Sequence, residues 1–201
     1  MPTFQLPTSV LDIVGTPPVQ GLAPRIATVS DVSQLVPLIN EAYLDSTWFK
    51  NPLYHQRISA SEMEYYLSPS SQDIILVLET TDSREICATI KLVAPTANHK
   101  HSCMSLLAIS PSLHKKGLAK YMFSLLCAMA LYQDDKYKDL GWGDLETHVM
   151  GTQPHLVKIY SSWGFTLVDG WDDSFVGLPA DFWNVEPEKR FMVALRKNLS
   201  V

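Results

Sequence analysis

Residues 107–120, Leu-Ala-Ile-Ser-Pro-Ser-Leu-His-Lys-Lys-Gly-Leu-Ala-Lys, constrain this chain more than any other stretch. An apolar strand has to stop at Ser110-Pro111, because proline fixes φ and removes a backbone donor. After Gly117 the pattern changes: Leu118, Met122, Leu125, Leu126 and Met129 recur on one face of a long amphipathic helix that runs to about Gln133. Strand, tight loop and long helix are the start of a layered α/β unit. The helix start offers unpaired N–H groups and the positive end of the helix dipole. Gly117 and Ala119 are small enough to let a ligand reach the backbone, and Lys115, Lys116 and Lys120 add positive charge. Together these features describe a cradle for a pyrophosphate; an ordinary solvated helix start is the plainer alternative.

Elsewhere strands and helices alternate. A short strand is expected at 25–28, then a helix capped by Asp31 with Gln34 three residues on, carrying Val32, Leu35, Val36, Ile39 and Tyr43 inward. Pro37 should bend that helix or end its first half. A short helix is expected at 62–67, and strands at 74–78, 85–93, 104–109 and 145–149. Gln153 and Pro154 open a further helix that buries Leu156, Val157, Tyr160 and Trp163, with Gly164 closing it. Strands near 165–168 and 191–195 follow, separated by an acidic and aromatic loop. Residues 1–24 hold five of the 13 prolines and read as an extended arm ahead of a single domain at 25–201.

Composition narrows the function classes. The chain of 201 residues is one domain with an extension at roughly 150 residues per domain. Hydrophobic residues at 46% and charged residues at 18% are globular proportions. A net charge of -5 disfavours nucleic acid as a partner, and no apolar run reaches the ~18 residues of a membrane span. The start of the chain lacks the basic and apolar blocks of a secretory signal, so a cytoplasmic location is expected. Cys87, Cys103 and Cys127 are sparse and form no C-x-x-C, which suits buried free thiols. His55, His99, His101 and His155 show no metal spacing, so no metal is expected.

Two motifs carry a resemblance. His114-x-x-Gly117-x-Ala119 has the spacing of a Q/R-x-x-G-x-G/A phosphate loop, and Gln153, Tyr160, Gly164 and Phe165 repeat a second pattern of Asn, Tyr and Gly-Phe. With the opening at 25–31, this sequence resembles the GNAT superfamily of acyl-CoA-dependent N-acetyltransferases over about residues 25–197. It departs from the family in His114, where Gln or Arg is usual, and in Gln153, where Asn is usual. The resemblance implies a single α/β domain: a mixed, mostly antiparallel sheet of six to seven strands, flanked by about four helices, with strands 4 and 5 splayed around an acyl-CoA. It also implies roles. The backbone of Leu107 and Ile109 would pair with the pantetheine arm, and amides across His114, Lys115, Lys116, Gly117, Leu118, Ala119 and Lys120 would hold the pyrophosphate. Gln153 would lie near the cofactor. Tyr160 would protonate the leaving sulfur, a donor within reach being what a poor thiolate leaving group needs. A core aromatic is the alternative for Tyr160.

An attacking amine must also lose a proton. Glu146 and His148 share one face of their strand, because side chains alternate there, and are the first candidates for a base. A surface Glu and a structural His are the alternatives, and Glu41 and Glu79 are further candidates. For the acceptor, Tyr43, Trp48, Phe49 and Tyr54 in one stretch, and Trp171, Asp172, Asp173, Phe175, Asp181, Phe182 and Trp183 in another, suit an amine on an apolar body. The expected reaction is acyl transfer from acetyl-CoA or another acyl-CoA to a small-molecule amine, by direct attack through a tetrahedral intermediate, in a monomer or homodimer. A protein or peptide acceptor, diverted biosynthetic chemistry, or a non-catalytic acyl-CoA-binding module stay open as alternatives.

Overall fold

The computed structural model describes residues 5–44, 56–136, 141–150, 153–168, 184, 186 and 191–199. In chain order the elements are α1 (Thr8–Val14), β1 (Leu22–Ile26), α2 (Val32–Ala42), α3 (Ala60–Tyr66), β2 (Ile74–Thr80), β3 (Ile86–Val93), β4 (Ser102–Ile109), α4 (Leu118–Lys136), β5 (Asp144–Met150), α5 (Pro154–Ser162), β6 (Thr166–Leu167) and β7 (Met192–Asn198). The strands form one sheet in the order β1-β2-β3-β4-β5-β7-β6. Neighbours are antiparallel except β4 and β5, which are parallel.

Alternation along the strands sorts the core into two layers. Leu76, Leu78, Ile90, Met104, Leu145 and Val149 point to the face covered by α1, α4 and α5. Ile75, Val77 and Ala108 point to the face covered by α2 and α3. The five apolar positions anticipated on α4 are all buried, and the helix runs one turn past Gln133. Ser59 caps α3 reciprocally: its Oγ accepts from Glu62 N at 3.2 Å and its own N–H donates to the Glu62 carboxylate at 2.8 Å.

Local expectations are refined at four places. Asp31 stands at the N-cap position of α2, as expected, but its side chain makes no cap bond and Gln34 is not its partner. Its carboxylate accepts from Thr28 N–H at 2.7 Å one turn earlier and pairs with Arg25 at 2.7 Å, while Gln34 Oε1 accepts from Ile86 N–H at 2.9 Å. Pro37 sits inside α2 without ending it. The leading segment is not extended throughout. Pro7 precedes a two-turn helix, an arrangement that proline favours because its missing N–H would be unpaired there anyway. Leu6 and Val10 enter the α4 side of the core, and Tyr121 Oη on α4 donates to Gly15 O at 3.0 Å. β1 starts at Leu22, three residues before the expected strand.

The buried Val10 gives a direct test of that packing. Val10→Ala should cost about 1–3 kcal/mol, the usual penalty for removing buried methyl groups. Urea denaturation followed by circular dichroism reads it as a lower midpoint at an unchanged slope. An unmoved midpoint would mean that α1 contributes nothing to the core.

Candidate active site

The sheet opens between β4 and β5. Their register holds only two pairs, Ser102↔Leu145 and Cys103↔Glu146, at the starts of both strands. One further tie follows, Thr147 Oγ1 donating to Met104 O at 3.3 Å. Beyond it β4 stays with β3 and β5 with β7, so the two diverge as a V. A bulge in β4 widens the opening. Its register slips between Thr89 and Lys91 of β3, and Leu106 adopts φ 51°.

The free edge of β4 lines that gap. Ser110 N–H donates to Cys87 O on β3 at 2.8 Å, so the backbone groups of Ile109, one residue earlier, point away from β3. By the same alternation Leu107 presents its edge to the opening. The His114 ring N–H donates to Ile109 O at 3.0 Å and folds the following loop back onto the strand end. His114 therefore ties the loop to the end of β4 from the solvent side. Lys115 at φ 61° and Gly117 at φ 81° turn the chain sharply into α4. The first intrahelical bond there is Tyr121 N–H to Gly117 O at 3.1 Å, which leaves Leu118, Ala119 and Lys120 with outward N–H groups. A Cβ on Gly117 would meet only the Pro18 ring, at 3.7 Å, so one side of the loop is walled by the leading segment. Lys115, Lys116 and Lys120 are exposed around it.

Tyr160 lies on α5, in the core layer it shares with α1 and α4. It is 8% exposed and packs against the rings of Trp163 and Phe165, at centroid distances of 5.4 and 5.9 Å. Burial pushes its phenol well above the ordinary tyrosine range, and the Tyr43 phenol adds to the shift. Tyr43 belongs to the end of α2, in the opposite layer, with the Arg57 guanidinium 5.4 Å from its ring centroid. Gln153 stands at the N-cap position of α5, with no side-chain bond to the helix.

Glu146 and His148 lie together on the α2 and α3 face, as alternation requires, with His148 Nε2 3.0 Å from Glu146 Oε1. Glu146 is 2% exposed, and Arg196 on β7 donates to its Oε2 at 2.7 Å. Burial raises the Glu146 carboxyl, but Arg196 and the neighbouring His148 more than offset this and hold it below the ordinary range. Glu146 is thus a paired carboxylate. Burial pushes the His148 ring toward its neutral form against the pull of Glu146. The other two carboxylate candidates lie elsewhere. Glu79 is a buried partner of Arg25 and Arg84, each at 2.6 Å, and Glu41 is exposed on α2. Trp48, Phe49, Tyr54, Trp171, Asp172, Asp173, Phe175, Asp181, Phe182 and Trp183 fall outside the described residues.

The structure adds groups on this face that spacing did not reveal. Thr89 Oγ1 and Ser105 Oγ are buried beside the bulge without a hydrogen-bond partner among the described residues. Buried hydroxyls are normally satisfied, so these two stand out. Lys91, also buried, is satisfied by Asp73 at 3.0 Å and by the Tyr66 ring, 3.2 Å from its Nζ. No helix among the described residues is long and apolar enough to cross a membrane.

A mixed sheet split between parallel central strands, with a helix start at the mouth of the split, is the GNAT acetyltransferase fold, and this chain has it. A probable acetyltransferase from Staphylococcus epidermidis ATCC 12228 is similar at a TM-score of 0.64 and 11% identity, over 88% of this chain and 98% of that one. A GNAT-family acetyltransferase from Streptococcus pneumoniae is similar at 0.60 and 17%, over 88% and 99%. The spermidine/spermine N-acetyltransferase SpeG from Vibrio cholerae, in mutant forms, is similar at 0.59 and 14%, over 90% and 96%. No protein-family model and no curated protein sequence matches the chain.

Proposed function

We propose that the chain transfers an acetyl or other acyl group from acyl-CoA to the amine of a small molecule. The observation that carries this reading is the gap between β4 and β5, bordered by the Leu107–Ile109 edge of β4, which pairs with no strand on that side. The pantetheine amides pair with that edge as a missing strand would, and the pyrophosphate takes the N–H groups at the start of α4. Ile109 N–H faces the thioester oxygen, where it stabilises the oxyanion as the amine nitrogen bonds to the carbonyl carbon. The C–S bond then breaks, and Tyr160 gives its proton to the sulfur. The attacking nitrogen sheds one proton to water in the gap, and solvent restores the phenol. Tyr43, Glu146 and His148 line the side from which the amine arrives.

The test is a screen of amines against acetyl-CoA, reading free thiol. Polyamines come first, since one structural neighbour is a spermidine N-acetyltransferase. Amine-dependent thiol release is expected. Tight acyl-CoA binding with no release from any amine or peptide would turn the assignment to a binding module.

A further inference from the structure

We propose that His99, Cys103 and Glu146 form a site for a divalent transition-metal ion, zinc being the natural occupant, at the apex where β4 and β5 part. This goes beyond acyl transfer and does not depend on it. His99 Nε2 lies 3.1 Å from Cys103 Sγ and 3.5 Å from Glu146 Oε1, and all three ligand atoms fall within 4.8 Å of one another. With metal–ligand bonds of about 2.0–2.3 Å, the edges of a tetrahedral site measure about 3.3–3.6 Å, so one ion contacts all three after small side-chain movements. Imidazole, thiol and carboxylate are the donor set that zinc takes, while calcium and magnesium prefer oxygen alone.

The framework holds the three in place. Cys103 and Glu146 are directly paired across the parallel strands, the last such pair before the V opens. His99 sits four residues earlier on a tight turn closed by Thr96 N–H to His99 O at 2.7 Å and His99 N–H to Thr96 Oγ1 at 3.1 Å. Arg196 is the obvious objection, being a cation on the same carboxylate. It engages Oε2, at 2.7 and 3.2 Å, and Oε1 is left to the two histidines, His148 Nε2 at 3.0 Å and His99 Nε2 at 3.5 Å. A second partner that orients a ligating carboxylate is a normal feature of metal sites. Bound as thiolate and carboxylate, Cys103 and Glu146 cancel the charge of the ion, so Arg196 meets no net positive centre. The ion would pin β4 to β5 at the hinge of the gap.

Full-length protein stripped with a chelator and titrated with Co²⁺, then Zn²⁺, decides the matter. One equivalent of Co²⁺ should bind with a thiolate-to-cobalt charge-transfer band, and Zn²⁺ should displace it. Cys103→Ser should abolish that band, and Cys127→Ser should leave it intact. His99→Gln, a change at a half-exposed turn residue, should weaken binding at least about 10-fold, the effect already seen for residues one shell out. That variant keeps the test open if Cys103→Ser fails to fold. Binding well below one equivalent, or a band that persists in Cys103→Ser or is unmoved by His99→Gln, overturns the site. None of these readings involves thiol release from acetyl-CoA, so they stand or fall apart from the acyltransferase reading.

Discussion

Gly117→Glu should abolish acyl-CoA binding as measured by calorimetry, while Gly117→Ala should leave most of it. The two changes share one cost. Gly117 sits at φ 81°, in the left-handed region, where any side chain adds about 1–2 kcal/mol of strain. That cost falls on folding, and the alanine methyl would meet only the Pro18 ring, at an ordinary contact distance of 3.7 Å. Glutamate also brings a negative charge to the start of α4, where a pyrophosphate is expected. Like charges about 4 Å apart near a protein surface repel by up to about 4 kcal/mol, or roughly 1,000-fold in Kd. Binding by Gly117→Glu within a few-fold of the parent would move the phosphates away from this loop.

The exposed lysines around that loop predict a salt dependence on the same scale of reasoning. Lys115, Lys116 and Lys120 act through solvent, so their share of the attraction should fade as salt rises, while the backbone N–H groups at the helix start keep theirs. Measured Kd should therefore rise modestly between low and physiological ionic strength and then level off. A steep, unbroken rise would put the lysines, not the backbone, in charge of binding.

The parts of this picture that were readable in the sequence are those set by near neighbours in the chain. A proline that stops a strand, a glycine that starts a helix and an apolar period of 3.6 are local, and the 107–120 and 153–165 segments fold as their spacing says. Where a distant partner decides, sequence reading failed. Asp31 takes the expected N-cap position, but Arg25 in the neighbouring strand and Thr28 claim its carboxylate in place of the helix N–H groups. Glu79 looks available, yet it is buried between two arginines. The leading prolines argue for an extended arm, but none lies between Pro7 and Pro17, and a core waits to receive Val10. His99, Cys103 and Glu146 show no motif because only the parallel pairing of β4 with β5 brings residue 146 beside residue 103. The fold name was legible from two loops, whereas the chemistry of the α2 and α3 face required the sheet.

Tyr160→Phe should lower turnover by about 10²–10⁴-fold, the range typical of a single general acid, with little change in acyl-CoA affinity. The ring keeps its contacts with Trp163 and Phe165, so the fold should survive and only the proton donor is lost. The phenol's raised pKa fixes the sign of its pH behaviour. An acid with a raised pKa stays protonated, and so stays active, through neutral and mildly alkaline solution. The parent protein should therefore show no alkaline limb from Tyr160 below about pH 10, the ordinary tyrosine value. The Phe variant should be slow at every pH, with a profile of the same shape. Acyl donors with a better leaving group separate the acid role from simple packing: a donor whose thiol leaves readily needs less help, so the deficit of Tyr160→Phe should shrink with it. A deficit that is equal for good and poor leaving groups would make Tyr160 a packing residue whose loss distorts the gap. Full activity in the variant would remove the acid from the mechanism altogether.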